Sequence, residues 1–142
     1  MKKRLTTLAV TFCLCAGSLS AAETETRLFV KFPETLQLKM LSNMRDHMAA
    51  LNEILECLAY DELDKAADIA EHRLGLGARH AHGTADLAKY MPPGMRQAGF
   101  NMHSAASRFA RVAKERDAEA AYEALPEVTS ACVECHAGYR VR

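Results

Sequence analysis

Near the C-terminus of the 142-residue chain stand Cys132, Val133, Glu134, Cys135 and His136. Two thiols three positions apart, followed at once by an imidazole, make the C-x-x-C-H pattern of covalent haem attachment. The thiols add across the two porphyrin vinyl groups as thioethers, and the histidine reaches the iron as its proximal ligand. On a helix, positions i, i+3 and i+4 share one face, so sulfur, sulfur and nitrogen are presented together. Other uses of these residues compete. A thioredoxin-like dithiol needs a strand leading into a helix, and no strand pattern precedes the motif. A zinc site needs a second ligand pair at the usual spacing, and none is found. The cysteines could be core residues with His136 incidental, but a His directly after the second Cys favours haem.

Such a motif needs helices to carry it. No alternating β-branched run or hairpin turn is present, and apolar positions recur at threes and fours. A first helix is expected from about Pro33 to Tyr60, with Leu41, Met44, Met48, Leu51, Leu55 and Leu58 as its inward stripe. A second runs from Asp61, an N-cap residue type, to Leu74, with Leu63, Ala67, Ala70 and Leu74 inward and Gly75 and Gly77 ending it. A polar connection follows, with a helical turn around Leu87. The third helix starts near Pro92-Pro93 and reaches Lys114, with Met95, Ala98, Met102, Ala105, Phe109 and Val112 on one face. The fourth spans Asp117 to Tyr139, with Leu125, Val128, Cys132, Cys135 and Tyr139 aligned, and Pro126 kinking it or marking its effective start. Four amphipathic helices with mostly short links imply an all-α, antiparallel four-helix bundle. The cysteines fall on the apolar seam of the fourth helix, which places the haem in the bundle core.

The N-terminus reads as a secretory signal peptide. Lys2, Lys3 and Arg4 precede an apolar run from Leu5 to Ala16, and small residues gather at Ser18, Ser20, Ala21 and Ala22. The run is short for a membrane span. Cleavage after Ala22 leaves a single domain, residues 23–142, in the periplasm with no membrane anchor. It removes three of the eighteen basic residues and none of the eighteen acidic ones, leaving fifteen against eighteen. That mildly acidic balance argues against a nucleic-acid partner. Cleavage also removes Cys13 and Cys15. Cys57, on an apolar helix stripe, is expected to be buried and inert.

Helix content, the leader and a haem motif near the C-terminus together resemble the class II c-type cytochromes, the cytochrome c′ and cytochrome c556 family. Cys132 to Arg140 reads C-V-E-C-H-A-G-Y-R, similar to that family's C-x-x-C-H-x-x-[YF]-R. Ala124 to Val128 resembles its lead-in, and His47-Met48 its His-hydrophobic pair in the first helix. The resemblance implies that Arg140 lies beside the proximal ligand, where it tunes the His or pairs with a haem propionate. A solvated Arg near a helix end is the other reading, and both can hold. In the family the sixth iron position comes from the first helix, about seven residues before the His pair, which here is Leu41. Leucine cannot ligate iron, so this register implies a five-coordinate haem that binds NO or CO, as in the c′ branch. A shift of one residue brings Met40 to the iron instead, and Met44 stands one turn on. Thioether ligation gives a six-coordinate, low-spin haem of raised potential, suited to electron transfer, as in the c556 branch. Leu41 is the residue expected to face the iron. Gln37 departs from the family, which often has a basic residue there, and Lys39 is nearby. Family members often pair as homodimers through the first two helices.

The remaining histidines are given lesser roles. His80 and His82 are expected in solvent, and His72 and His103 lie on helices, where a bis-His haem using one of them is a minor alternative. Met91, Met95 and Met102 are expected in the core. The sequence therefore reads as a periplasmic electron carrier with one haem c cycling Fe(II)/Fe(III) with redox partner proteins, and not as an enzyme. Diatomic-gas binding is the alternative.

Overall fold

The computed structural model describes residues 25–142, and the expected signal peptide, residues 1–22, lies outside the described residues. The described chain is all-α apart from one pair of two-residue strands. In order it forms β1 (Leu28–Phe29), α1 (Glu34–Ala59), α2 (Leu63–Ile69), a π turn (Ala70–Leu74), a 3-10 turn (Leu76–Arg79), α3 (Thr84–Ala88), α4 (Pro93–Lys114), α5 (Ala118–Gly138) and β2 (Tyr139–Arg140). None of the described helices is long and apolar enough to cross a membrane.

The helix boundaries follow local chemistry. Pro33 is extended just ahead of α1, and Pro93 opens α4 after an extended Pro92, since a proline at the first turn gives up no intrahelical hydrogen bond. The Asp117 carboxylate accepts from the Ala120 amide at 3.0 Å and caps α5. Pro126 neither starts nor ends that helix, which runs through it from Ala118. Ala121, Leu125 and Val128, all buried around the proline, hold the helix in place where one backbone bond is missing. Asp61 does not cap α2. It sits in the left-handed region at φ 59° as the turn residue after α1, and the capping position falls to Glu62.

α4 and α5 fold back on each other across residues 115–117 and make the most extensive helix pairing, with α2 and the π turn packed on α4 and α1 on α2. Their shared core contains Ile54, Leu58, Leu63, Leu74, Met102, Phe109, Leu125 and Val128, with alanines filling the closest approaches. The predicted inward faces of the second and third helices hold except at Val112, which is half-buried: Leu63, Ala67, Ala70 and Leu74 are buried, as are Met95, Ala98, Met102, Ala105 and Phe109.

α1 is turned by one residue from its expected face. Met40, Asn43, Ala50, Ile54 and Cys57 are buried, whereas Met48 is 67% and Leu55 45% exposed; of the expected stripe only Leu58, at the end of the helix, is buried. Two apolar stripes run side by side on this helix, so hydrophobicity alone does not choose between them. The polar residues on the observed face tip the choice. Asn43 Nδ2 donates to the His82 carbonyl at 2.9 Å, and His47 Nε2 lies 3.4 Å from His82 Nδ1. A buried amide left without such partners would cost about 1–3 kcal/mol.

The strand pair was not visible in the sequence, because two residues are too few to alternate. β1 and β2 are parallel, Leu28 opposite Tyr139 and Phe29 opposite Arg140, and the Val30 amide donates to the Arg140 carbonyl at 2.8 Å. This pairing brings Val30 and Phe32 against the end of α5.

Candidate functional site

The C-x-x-C-H residues occupy the last turns of α5, the helix that packs on α4. Cys132 and Cys135 are both free thiols and half-buried, while His136 is exposed. They stand on one helical face but lead to different surroundings. Cys132 packs on the large helical core, and its thiol donates to the Val128 carbonyl one turn back at 3.4 Å. Cys135 packs on a second, separate cluster made of Val30, Phe32, Met40, Leu87 and Met95, with Leu36, Met44, Met91, Tyr139 and Val141 at its edge.

Burial pushes the Cys132 thiol above the ordinary range, and burial followed by the neighbouring Cys132 and Glu134 does the same to Cys135. Both therefore stay protonated at neutral pH. The end of a helix also carries partial negative charge, which disfavours a thiolate. A dithiol built for disulfide exchange has the opposite design, a depressed thiol pKa at a helix N-terminus. Among the described residues no third His, Cys, Asp or Glu is grouped with the two cysteines as a metal ligand set.

Of the three residues expected as candidates for the far side of the iron, Met40 is buried in the cluster that holds Cys135, whereas Leu41 is half-buried and in neither core. The one-residue rotation of α1 is the cause. Met44 lies at the edge of the same cluster. Gln37 donates from Nε2 to the Val141 carbonyl, fastening the start of α1 to the chain end beyond β2. Gly94, in the first turn of α4, sits under the Tyr139 hydroxyl, where a methyl group would collide.

The residues present fit a covalent haem in three ways. Two thiols and an imidazole are held by one helix. The cluster beside Cys135 is apolar and rich in methionine, an unbranched side chain that readily repacks around a guest. Arg140, expected near the propionates, stacks on the Phe29 ring at 4.9 Å, and its Nε is buried with no hydrogen-bond partner, 3.8 Å from the Glu25 carboxylate. A buried guanidinium N–H without an acceptor is costly, and a propionate carboxylate is such an acceptor.

A second cluster was missed by the sequence reading. His82 is buried, not solvated, and meets His47 of α1 and His103 of α4, with ring centres 4.8, 5.7 and 6.0 Å apart. His80 is exposed, as expected. Beside this cluster Arg73 bridges Asp46 and Glu53, at 2.6 Å to each. No local pattern could have joined residues 47, 82 and 103, and the one sequence trace is a polar Asn43 and His47 one turn apart on the inward face.

Compared with protein-family models, curated proteins and solved structures, the chain finds no match in any of the three.

Proposed function

We propose that this chain is a class II-like c-type cytochrome of the periplasm whose helices form an antiparallel four-helix bundle around one covalent haem. The observation that carries this reading is the pair of half-buried, protonated thiols on one face of α5, next to His136 and a methionine-rich apolar cluster. In it Cys132 and Cys135 supply the two thioether sulfurs and His136 the proximal imidazole. Arg140 offers its unpartnered Nε to a propionate. Phe32, Leu36, Leu87 and Met95, in the apolar cluster beside Cys135, would exclude water from a haem bound there. When bound, the haem supplies one-electron Fe(II)/Fe(III) chemistry.

The distal side favours electron transfer over gas binding, because Met40 and not Leu41 shares the apolar cluster of Cys135. With haem bound, its thioether would be available to the iron as a second protein ligand, which would raise the potential and suit electron transfer. The surface of α1 bears exposed Leu38, Met48 and Leu55, which supports pairing of two copies through this helix.

The test is the absorption spectrum of the ferrous protein before and after CO. A sharp low-spin spectrum unmoved by CO supports a Met40-ligated carrier, and Met40→Leu should then open the site to CO. A broad spectrum that sharpens with CO in the parent protein would instead support Leu41 at the iron and the gas-binding reading.

A further inference from the structure

We propose that His47, His82 and His103 form a binding site for one divalent transition-metal ion such as zinc, separate from the Cys132–His136 motif. They come from three elements: α1, the connection between the 3-10 turn and α3, and α4. His82 and His103 are each less than a tenth exposed, and histidines this deep are not there for solvation.

The spacing is that of ligands. Zinc holds imidazole nitrogens at about 2.0–2.1 Å, so two of them on a tetrahedral ion lie about 3.4 Å apart, with ring centres about 5 Å apart. His47 Nε2 and His82 Nδ1 are 3.4 Å apart, and their ring centres are 4.8 Å apart. The His103 ring is farther out, at 5.7 and 6.0 Å. As they stand the three do not form a finished ligand set, and closing it asks His103 to approach by about 1 Å.

His103 is already prepared for that role. Its Nδ1 lies 2.7 Å from the Leu74 carbonyl. A carbonyl only accepts, so Nδ1 carries the proton and Nε2 of the neutral ring keeps its lone pair. A backbone carbonyl on the far nitrogen is the usual support of a metal-binding histidine. The hydrogen shared by His47 and His82 moves, on binding, to the far nitrogen of its own ring. Burial holds all three imidazoles below their ordinary range, His47 at about 4, so none needs to lose a proton at neutral pH.

Charged groups of both signs stand around the site. Asp46 acts on both His47 and His82. Arg73 faces the cluster but is shared between Asp46 and Glu53. Lys39, which donates to the Ala81 carbonyl at 3.0 Å, and Arg79 are the other cations nearby. A bound ion would clip the long connection to the two helices, so its first consequence is stability.

The experiment uses the chain 23–142 with any free thiol alkylated, so that cysteine cannot take metal, and titrates it with zinc by calorimetry and with cobalt(II) by absorbance. The expected result is one saturable ion, bound at least tenfold more weakly by His47→Gln, His82→Gln and His103→Gln. The exposed controls His72→Gln and His80→Gln should stay within twofold. Zinc should raise the Tm of the parent by several degrees but not that of His82→Gln. Circular dichroism identifies any variant that has lost its fold, and the other two then carry the comparison. Absence of a one-equivalent ion, or equal weakening in the control variants, would overturn the site. Haem content is read separately from its own absorbance, so failure of the cytochrome reading leaves this result interpretable.

Discussion

Two apolar clusters share this molecule and are built differently. In the larger one, between α1, α2, α4 and α5, alanine supplies ten of nineteen buried residues. Such small side chains bring helix backbones close together. The smaller cluster lies where β1, the start of α1, α3 and the start of α4 meet Cys135. Its bulk comes from Met40, Met44, Met91 and Met95 with Phe32 and Leu87. Methionine adapts where alanine and Phe109 interlock. α5 touches both, Cys132 on the rigid side and Cys135 on the soft side. The contrast teaches that the helices interlock at one end and stay adaptable at the other, the end where Cys135 lies.

That division can be broken by mutation. Phe109 is fully buried in the rigid core, so Phe109→Ala should cost about 3–5 kcal/mol, read as a large loss of urea midpoint. Met44→Leu, at the edge of the soft cluster, should cost under about 1.5 kcal/mol. Equal losses would erase the distinction. Overpacking sharpens it further. Ala106→Leu, at a fully buried position, should destabilise by about 1–3 kcal/mol, whereas Met91→Leu should be nearly silent in the same assay.

Between the two clusters on α1, after Met44 and before Ala50, stands His47, and it makes the boundary pH-sensitive. Burial, then His82 and His103, lower it from 6.5 to about 4. The unfolded chain therefore takes up a proton before the folded one does. Stability should be full above about pH 6.5 and fall as the pH drops toward 4, with a slope of at most about 1.4 kcal/mol per unit for this one group. Urea midpoints of metal-free protein at pH 7 and pH 5 check this, and His47→Gln should reduce the difference, leaving the part due to the buried His82 and His103. The smallest effect concerns the lid of the soft cluster. Gly94→Ala should destabilise through collision with the Tyr139 hydroxyl. Tyr139→Phe should recover most of the loss, which a simple helix-propensity effect would not allow.

Much of this was legible in the sequence. The four long apolar stripes located the helices, and α4 begins and ends where its prolines and polar residues place it. The motif cysteines fell on the α5 seam because the 3-4 spacing that makes a stripe also aligns two thiols. What was not legible depended on partners far along the chain. α1 carries two adjacent stripes, and the choice between them is made by His82 meeting Asn43 and His47. That one-residue turn moves Met40 inward in place of Leu41. The β1–β2 pair, too short to announce itself, closes the soft cluster with Val30 and Phe32. Asp61 reads as a cap, yet its backbone is left-handed because the chain must reverse there between α1 and α2.

The most direct test of the account is a peptide mass map of the protein made in a host that attaches haem to secreted proteins. The account predicts that the peptide holding Cys132, Cys135 and His136 carries one haem through both sulfurs, and that Cys132→Ser with Cys135→Ser removes it while the helical circular dichroism is kept. The same peptide recovered with two unmodified thiols, or joined in a disulfide, would contradict it.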